Sequence, residues 1–298
     1  MADSAPAACA PPPEETPPFT VLASGYGFVE GPRVEPDGTL WFSDLTGGGY
    51  YRVTPDGTAT AFAPQRQWIG GAVMCGDGAL ILSGRGGLAR LDPADGGLTP
   101  IAVPLTAPCE LCINDIEAAP DGSLIGGSID FAAIMERGEA PAPGTLFHLS
   151  PDGTLTLLRD DVHASNGLGF SPCGRWLYHS ETSRGVWRYP LGADGVPGAG
   201  TLFAELEDSD GLIVDAGGGV WVACWASGTL RHYTQDGVWD RLIRLPFPHL
   251  VSLAVGGPDL HDLYVSTGGN ADHPGMGGVV RIRIDVPGQR DYITQVPA

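Results

Sequence analysis

From Phe19 onward the chain runs in short stretches of β-branched, aromatic and leucine residues separated by Pro-Asp-Gly or Asp-Gly pairs, with no stretch in which apolar residues recur every ~3.6 positions. This predicts strands and tight turns, an all-β chain. One unit recurs: a turn glycine, a short apolar strand, a loop, a second strand and another turn. Its first strand occupies residues 38–43, 78–83, 122–125, 175–178, 219–222 and 262–265, and its partner residues 49–53, 87–91, 144–149, 185–189, 228–233 and 278–282. With Leu40, Leu80, Leu124, Leu177, Val220 and Leu263 as anchors, the steps are 40, 44, 53, 43 and 43 residues. Repeats of this length, about four strands each, read as propeller blades, because a small sheet cannot bury both faces without neighbours. The prediction is a six-bladed β-propeller over residues 19–298, a single domain whose ring is closed by an outer strand from residues 19–23 or 292–296. Residues 1–18, rich in Ala, Pro and Glu and without apolar period, read as a flexible tail.

In a propeller the innermost strands line a central channel, so equivalent residues meet around one axis. Ten residues before each anchor, eleven in the fourth unit where Trp176 is inserted, stand Glu30, Gly70, Asn114, Asn166, Asp210 and Leu253. Any one Asn-Gly or Asp-Gly pair reads as a hairpin turn. Four side-chain oxygens in one register, each upstream of its own separate turn, ask for more. Two carboxylates and two amides converging without a counter-ion would be unfavourable, and a cation resolves the conflict. An all-oxygen set selects a hard divalent ion, Ca²⁺ first, then Mg²⁺ or Mn²⁺, with Zn²⁺ able to enter. Four protein ligands leave calcium room for water and a substrate oxygen, so the expected centre is catalytic, with Asp210 orienting or deprotonating the attacking water.

Composition narrows the partners. The 298 residues carry 16 basic and 35 acidic side chains, a net charge of −19, which repels phosphate backbones and anionic lipid. Neither nucleic acid nor a membrane surface is expected as a partner. Every basic residue is arginine, so Schiff-base chemistry on lysine and a P-loop are excluded. The first arginine is Arg33 and no run nears the ~18 apolar residues of a membrane span, so a cytoplasmic location is expected. The six cysteines are then expected as thiols.

Glu30-Gly31-Pro32, Asn114-Asp115, Asn166-Gly167-Leu168 running into Ser171-Pro172, Asp210-Gly211-Leu212 running into 219–223, and the late Gly256-Gly257-Pro258-Asp259-Leu260 resemble the gluconolactonase/regucalcin family, which includes senescence marker protein and luciferin-regenerating-enzyme-like members. The similarity spans residues 25–284. It implies a six-bladed propeller, one catalytic divalent metal held by Glu30, Asn166 and Asp210 with Asn114 at or beside it, lactone hydrolysis, and Asp210 as general base. Related propellers hydrolyse organophosphates, so a phosphotriesterase on the same ion is one alternative; a non-catalytic calcium-binding propeller is another. Sugar-lactone members carry an arginine two residues before Asn-Asp, where this chain has Cys112. A thiol lacks the guanidinium fork, which points to a lactone less polar than gluconolactone.

The expected substrate contacts are therefore Cys112, Asn114, His163, Trp68 and Trp225, with the insertion at 132–143, which contains Met135, as a cover. His163 and His249 are the better placed of the histidines 163, 179, 249 and 273, which otherwise read as structural hydrogen-bonding groups. Cys109 and Cys112 have the spacing of half a redox or zinc site, without a second pair. No Gly-x-Ser-x-Gly elbow is present.

Overall fold

The Asp-Gly pairs become turns through two local devices. Gly38 and Gly122 take the positive φ the turn needs, 90° and 86°. The aspartates before them, Asp37 and Asp121, accept the backbone N–H two residues on, at 2.8 and 3.0 Å. A computed structural model describes residues 11–103, 105 and 112–297, and between these turns it has six sheets of four or five strands, antiparallel but for one edge strand. The inner strands are Val29–Val34, Ala72–Met74, Cys112–Ala118, Ser165–Phe170, Ser209–Val214 and His249–Gly256. Each touches the next and the sixth touches the first, which makes the ring of a six-bladed β-propeller.

There is no single core. A separate cluster of buried apolar side chains fills each gap between blades: Val73 and Ile81 against Ile116 and Phe147, for example, or Trp221 and Leu230 against Leu253 and Val280. Each blade is thus apolar on both faces, which is why its strands read as continuous apolar runs. The ring closes on Thr20–Tyr26, which pairs antiparallel with Gly277–Arg283 as the outermost strand of the sixth blade. The C-terminal segment does something else. It crosses the end of the channel, with Gln289 Nε2 donating to Phe170 O and Val214 O and Thr294 N to Met74 O.

The expected N-terminal tail differs from the structure where it is described. Glu14–Glu15 pairs in parallel with Leu242 and Ile243, held by ion pairs from Glu15 to Arg241 at 2.7 Å and from Glu14 to Arg244 at 2.9 Å. Residues 1–10 lie outside the described residues. Among the described residues no helix is long and apolar enough to cross a membrane; the one helix, Ala132–Arg137, is six residues of π-type turn.

His232, in the fifth blade, is clamped between two carboxylates, Nε2 at 3.0 Å from Asp215 and Nδ1 at 2.6 Å from Asp240. Burial opposes its charge, but these hydrogen bonds outweigh it and hold the imidazolium above its ordinary value of 6.5. A raised pKa gives stability that is complete below pH 6.5 and lost as pH rises through the higher folded value. Melting temperature should therefore fall between pH 6 and 8 by more in the wild type than in His232→Gln. Parallel curves would show that the clamp contributes nothing.

Candidate active site

Five of the six inner strands share an irregularity that aims the candidate residues. In the first, Glu30 pairs with Ser43 but Arg33 pairs with Trp41, so the register slips between them. The same slip falls between Ile113 and Ile116, Ser165 and Leu168, Ser209 and Leu212, and Leu250 and Leu253. Glu30, Asn114, Asn166 and Asp210 thus all stand at a β-bulge, where the strand twists and a side chain is turned out of the ladder. The equivalent residue of the sixth blade is Val251, not Leu253: the hairpin from Val255 to Leu263 is two residues longer than that from Val34 to Leu40, so counting ten back from the anchor stops two residues short. In the second blade the position is Gly70. A Cβ there would lie 1.8 Å from Asn114 Oδ1, so the glycine vacates the space that the amide fills.

A chain of hydrogen bonds ties the third, fourth and fifth blades at this level. Asn114 Nδ2 donates to Ser165 O at 2.7 Å and to Asn166 Oδ1 at 2.6 Å. Asn166 Nδ2 donates to Thr182 Oγ1 at 2.6 Å, and that hydroxyl donates to Ser209 O. Both amide nitrogens are spent on the protein, which leaves the oxygens as acceptors. Asn114 Oδ1, fully buried, has no partner.

Glu30 and Asp210 are 4% and 5% exposed. Burial first, then Asp210 and Asp115, pushes the Glu30 carboxyl well above the usual carboxylate range. Burial first, then Asp115 and Asp208, does the same to Asp210. Asp115 is itself raised by burial to about 7 although Arg33 draws it down. The result is an excess of buried acceptors over donors: carboxyls that discourage one another's charge and an amide oxygen facing nothing. A hard cation fits it. The ligands would be Glu30, Asn166 and Asp210 with Asn114 beside them, all oxygen, as calcium, magnesium and manganese prefer. Among the described residues no group of three or more His, Cys, Asp or Glu could hold a metal by itself, so any ion here must draw on the asparagines.

Glu30, Asn166 and Asp210 open onto one cavity of about 260 Å³. Of the residues expected at the substrate, Trp225 lines it. Asn114 lies beneath Asn166. Trp68 and Cys112 do not reach it: they are buried in an apolar cluster with Leu45, Ile129, Phe131 and Ala132, against which Phe28 and Ala164 pack. They stand two residues before Gly70 and Asn114, as Phe28 and Ala164 do before Glu30 and Asn166, but Phe131 folds over Trp68 with ring centres 5.9 Å apart. His163 is also outside the cavity, its Nδ1 3.2 Å from Ser183 Oγ and its backbone N–H on Glu181. Cys109 lies outside the described residues. Of the insertion at 132–143, Ile134 and Met135 in its helical turn line the cavity. Sequence reasoning passed over Phe28 and Thr182; Phe28 could have been found two residues before Glu30, on the same strand face.

The family model described as SMP-30/Gluconolactonase/LRE-like region matches residues 28–269. A pentonolactonase, XacC of Haloferax volcanii, is 32% identical over 252 residues, 82% of either chain. The solved structure of a gluconolactonase from Xanthomonas campestris superposes with a TM-score of 0.75 at 26% identity, over 95% of this chain and 97% of that one. A luciferin-regenerating enzyme reaches a TM-score of 0.84 at 21% identity, over 93% and 99%, and shares the fold.

Proposed function

The chain belongs to the SMP-30/gluconolactonase/LRE-like family, and from that membership we propose that it is a lactonase, opening a lactone ring to a hydroxy acid at one divalent metal ion, Ca²⁺ before Mn²⁺, Mg²⁺ or Zn²⁺. The named activities of the pentonolactonase and gluconolactonase relatives support the reaction class. The observation that carries the reading for this chain is the meeting of Glu30, Asn166 and Asp210 on one cavity, above an asparagine oxygen with no partner.

A divalent ion bound there would supply Lewis-acid polarisation of the lactone carbonyl. The protein supplies the rest. Asn114 holds the Asn166 amide in one orientation, its oxygen accepting from Asn114 Nδ2 while its nitrogen donates to Thr182 Oγ1. Asp210 takes a proton from the attacking water as the water oxygen bonds to the carbonyl carbon. The ring C–O bond then breaks, and the ring oxygen, on taking a proton, becomes the hydroxyl of the product. One water is added across the ester and nothing else is consumed. The substrate is less polar than an aldonolactone, since no arginine lines the described cavity and Cys112 stands where sugar-lactone enzymes carry one.

A chelator-controlled hydrolysis screen over sugar, aliphatic and aromatic lactones tests this. Activity should vanish with EDTA and return with added Ca²⁺ or Mn²⁺. Full activity in EDTA would remove the metal, and no turnover of any lactone with metal present would remove the lactonase reading.

A further inference from the structure

We propose that the cavity above Glu30, Asn166 and Asp210 is a subsite for an apolar substituent on the lactone, alkyl or aryl, and that Ile134 and Met135 are its specificity-determining contacts. This rests on the lactonase reading and extends it to a substrate class and to residues outside the catalytic floor.

Above the floor the described lining is almost all carbon, with Phe28, Leu45, Ile129, Phe131, Ile134 and Met135 as the larger surfaces. Two hydroxyls face it, and both are engaged: Thr46 Oγ1 donates to Asp44 Oδ1, and Thr182 Oγ1 lies between Asn166 and Ser209 O. A polyhydroxylated ring would bury most of its hydroxyls there against carbon, whereas a hydrocarbon gains by leaving water. The volume, about 260 Å³, matches roughly nine waters at liquid density, room for a lactone ring with a chain of several carbons.

The cover points the same way. Ile134, Met135 and Trp225 stand 39%, 45% and 39% exposed at the mouth, apolar side chains held out in water beside one another. They are held there by design of the local structure. Buried Asp130 accepts the N–H of Ala133 at 3.0 Å, Gly138 at φ 64° ends the turn, and Glu136 pairs with Arg85 of the second blade at 2.7 Å. A π-type turn so anchored presents Ile134 and Met135 to whatever enters, and methionine adapts to irregular shapes.

Two measurements on the full chain test the proposal. The first is kcat/KM, with Ca²⁺ present, over γ-lactones bearing no chain, a butyl chain, an octyl chain or a phenyl ring, beside glucono- and xylonolactone. The second is calorimetric binding, to EDTA-treated protein, of cyclopentanone and its pentyl and heptyl derivatives, which have no bond to hydrolyse. Both constants should improve about fourfold per methylene until the cavity is full. Ile134→Asn and Met135→Gln should each cut the long-to-short ratio by about tenfold. The phenyl lactone matching the octyl one would assign an aryl group; its lagging would assign a chain. Preference for the sugar lactones with no chain-length slope overturns the subsite and leaves the lactonase standing. No hydrolysis at all, with binding that still follows chain length and falls in the two variants, removes the lactonase and keeps the subsite. Binding indifferent to chain length overturns the proposal.

Discussion

Glu30→Gln and Asp210→Asn are each expected to lower kcat for lactone hydrolysis by at least about a thousandfold while leaving the propeller folded. Both changes keep the shape of the side chain and remove its charge, so they separate chemistry from packing. Glu30 and Asp210 are nearly fully buried, and the charged neighbours that act on them are other carboxyls, Asp210 and Asp115 on the first and Asp115 and Asp208 on the second. Without metal that arrangement opposes folding, because a buried carboxylate with no counter-charge is unfavourable. In EDTA, then, each variant should melt at or above the wild-type temperature. With Ca²⁺ the order should reverse: the wild type gains about 2.7 kcal/mol at a hundredfold excess over its dissociation constant, and the variants gain little. Differential scanning fluorimetry with and without Ca²⁺ reads this directly. Either variant retaining half of wild-type activity would end the assignment of roles, and equal stabilisation of all three proteins by Ca²⁺ would move the ion elsewhere.

The blades and the candidate ligands were legible because both follow from local counting. Counting ten residues back from each anchor, eleven in the fourth unit, puts Glu30, Asn114, Asn166 and Asp210 in register whatever lies between blades. Where the hairpin lengthens, as at Val255 to Leu263, the count slips and Val251 is missed. The contacts that set the cavity are of another kind. Trp68, before the second inner strand, and Cys112, at the start of the third, stand two residues ahead of Gly70 and Asn114, and only the return of Phe131 and Ala132 from a distant loop covers them. A six-residue helical turn is too short to show a period, so Ile134 and Met135 could be suspected as a cover but not placed. The pairing of Glu14–Glu15 with Leu242 and Ile243 joins residues 228 positions apart and leaves no local trace.

Arg33→Met is expected to destabilise the protein by about 3–5 kcal/mol, a loss on the order of ten degrees in melting temperature. Arg33 is 8% exposed and lies three residues along the first inner strand from Glu30. Its Nε donates to Ala72 O at 2.7 Å in the second blade, and its Nη2 to Ile116 O at 3.3 Å and Glu117 Oε2 at 2.7 Å in the third. Asp291 of the C-terminal segment stands 3.8 Å from Nε. Burial works against the charge, but Glu117 and Asp291 outweigh it and keep the guanidinium firmly protonated. One planar fork therefore clasps three blades at the channel axis, where a methionine would leave Glu117 buried without its partner and the carbonyls of Pro32, Ala72 and Ile116 without this donor. Arg33→Lys keeps the charge and loses the fork, so it should fall between wild type and Arg33→Met. The double variant Arg33→Met with Glu117→Gln removes the stranded charge and should recover about half of the loss, a coupling that urea denaturation of the four proteins would measure. Additive effects, or Arg33→Met within about 1 kcal/mol of wild type, would mean that the blades are held by their apolar seams alone and that the clasp at the axis is idle.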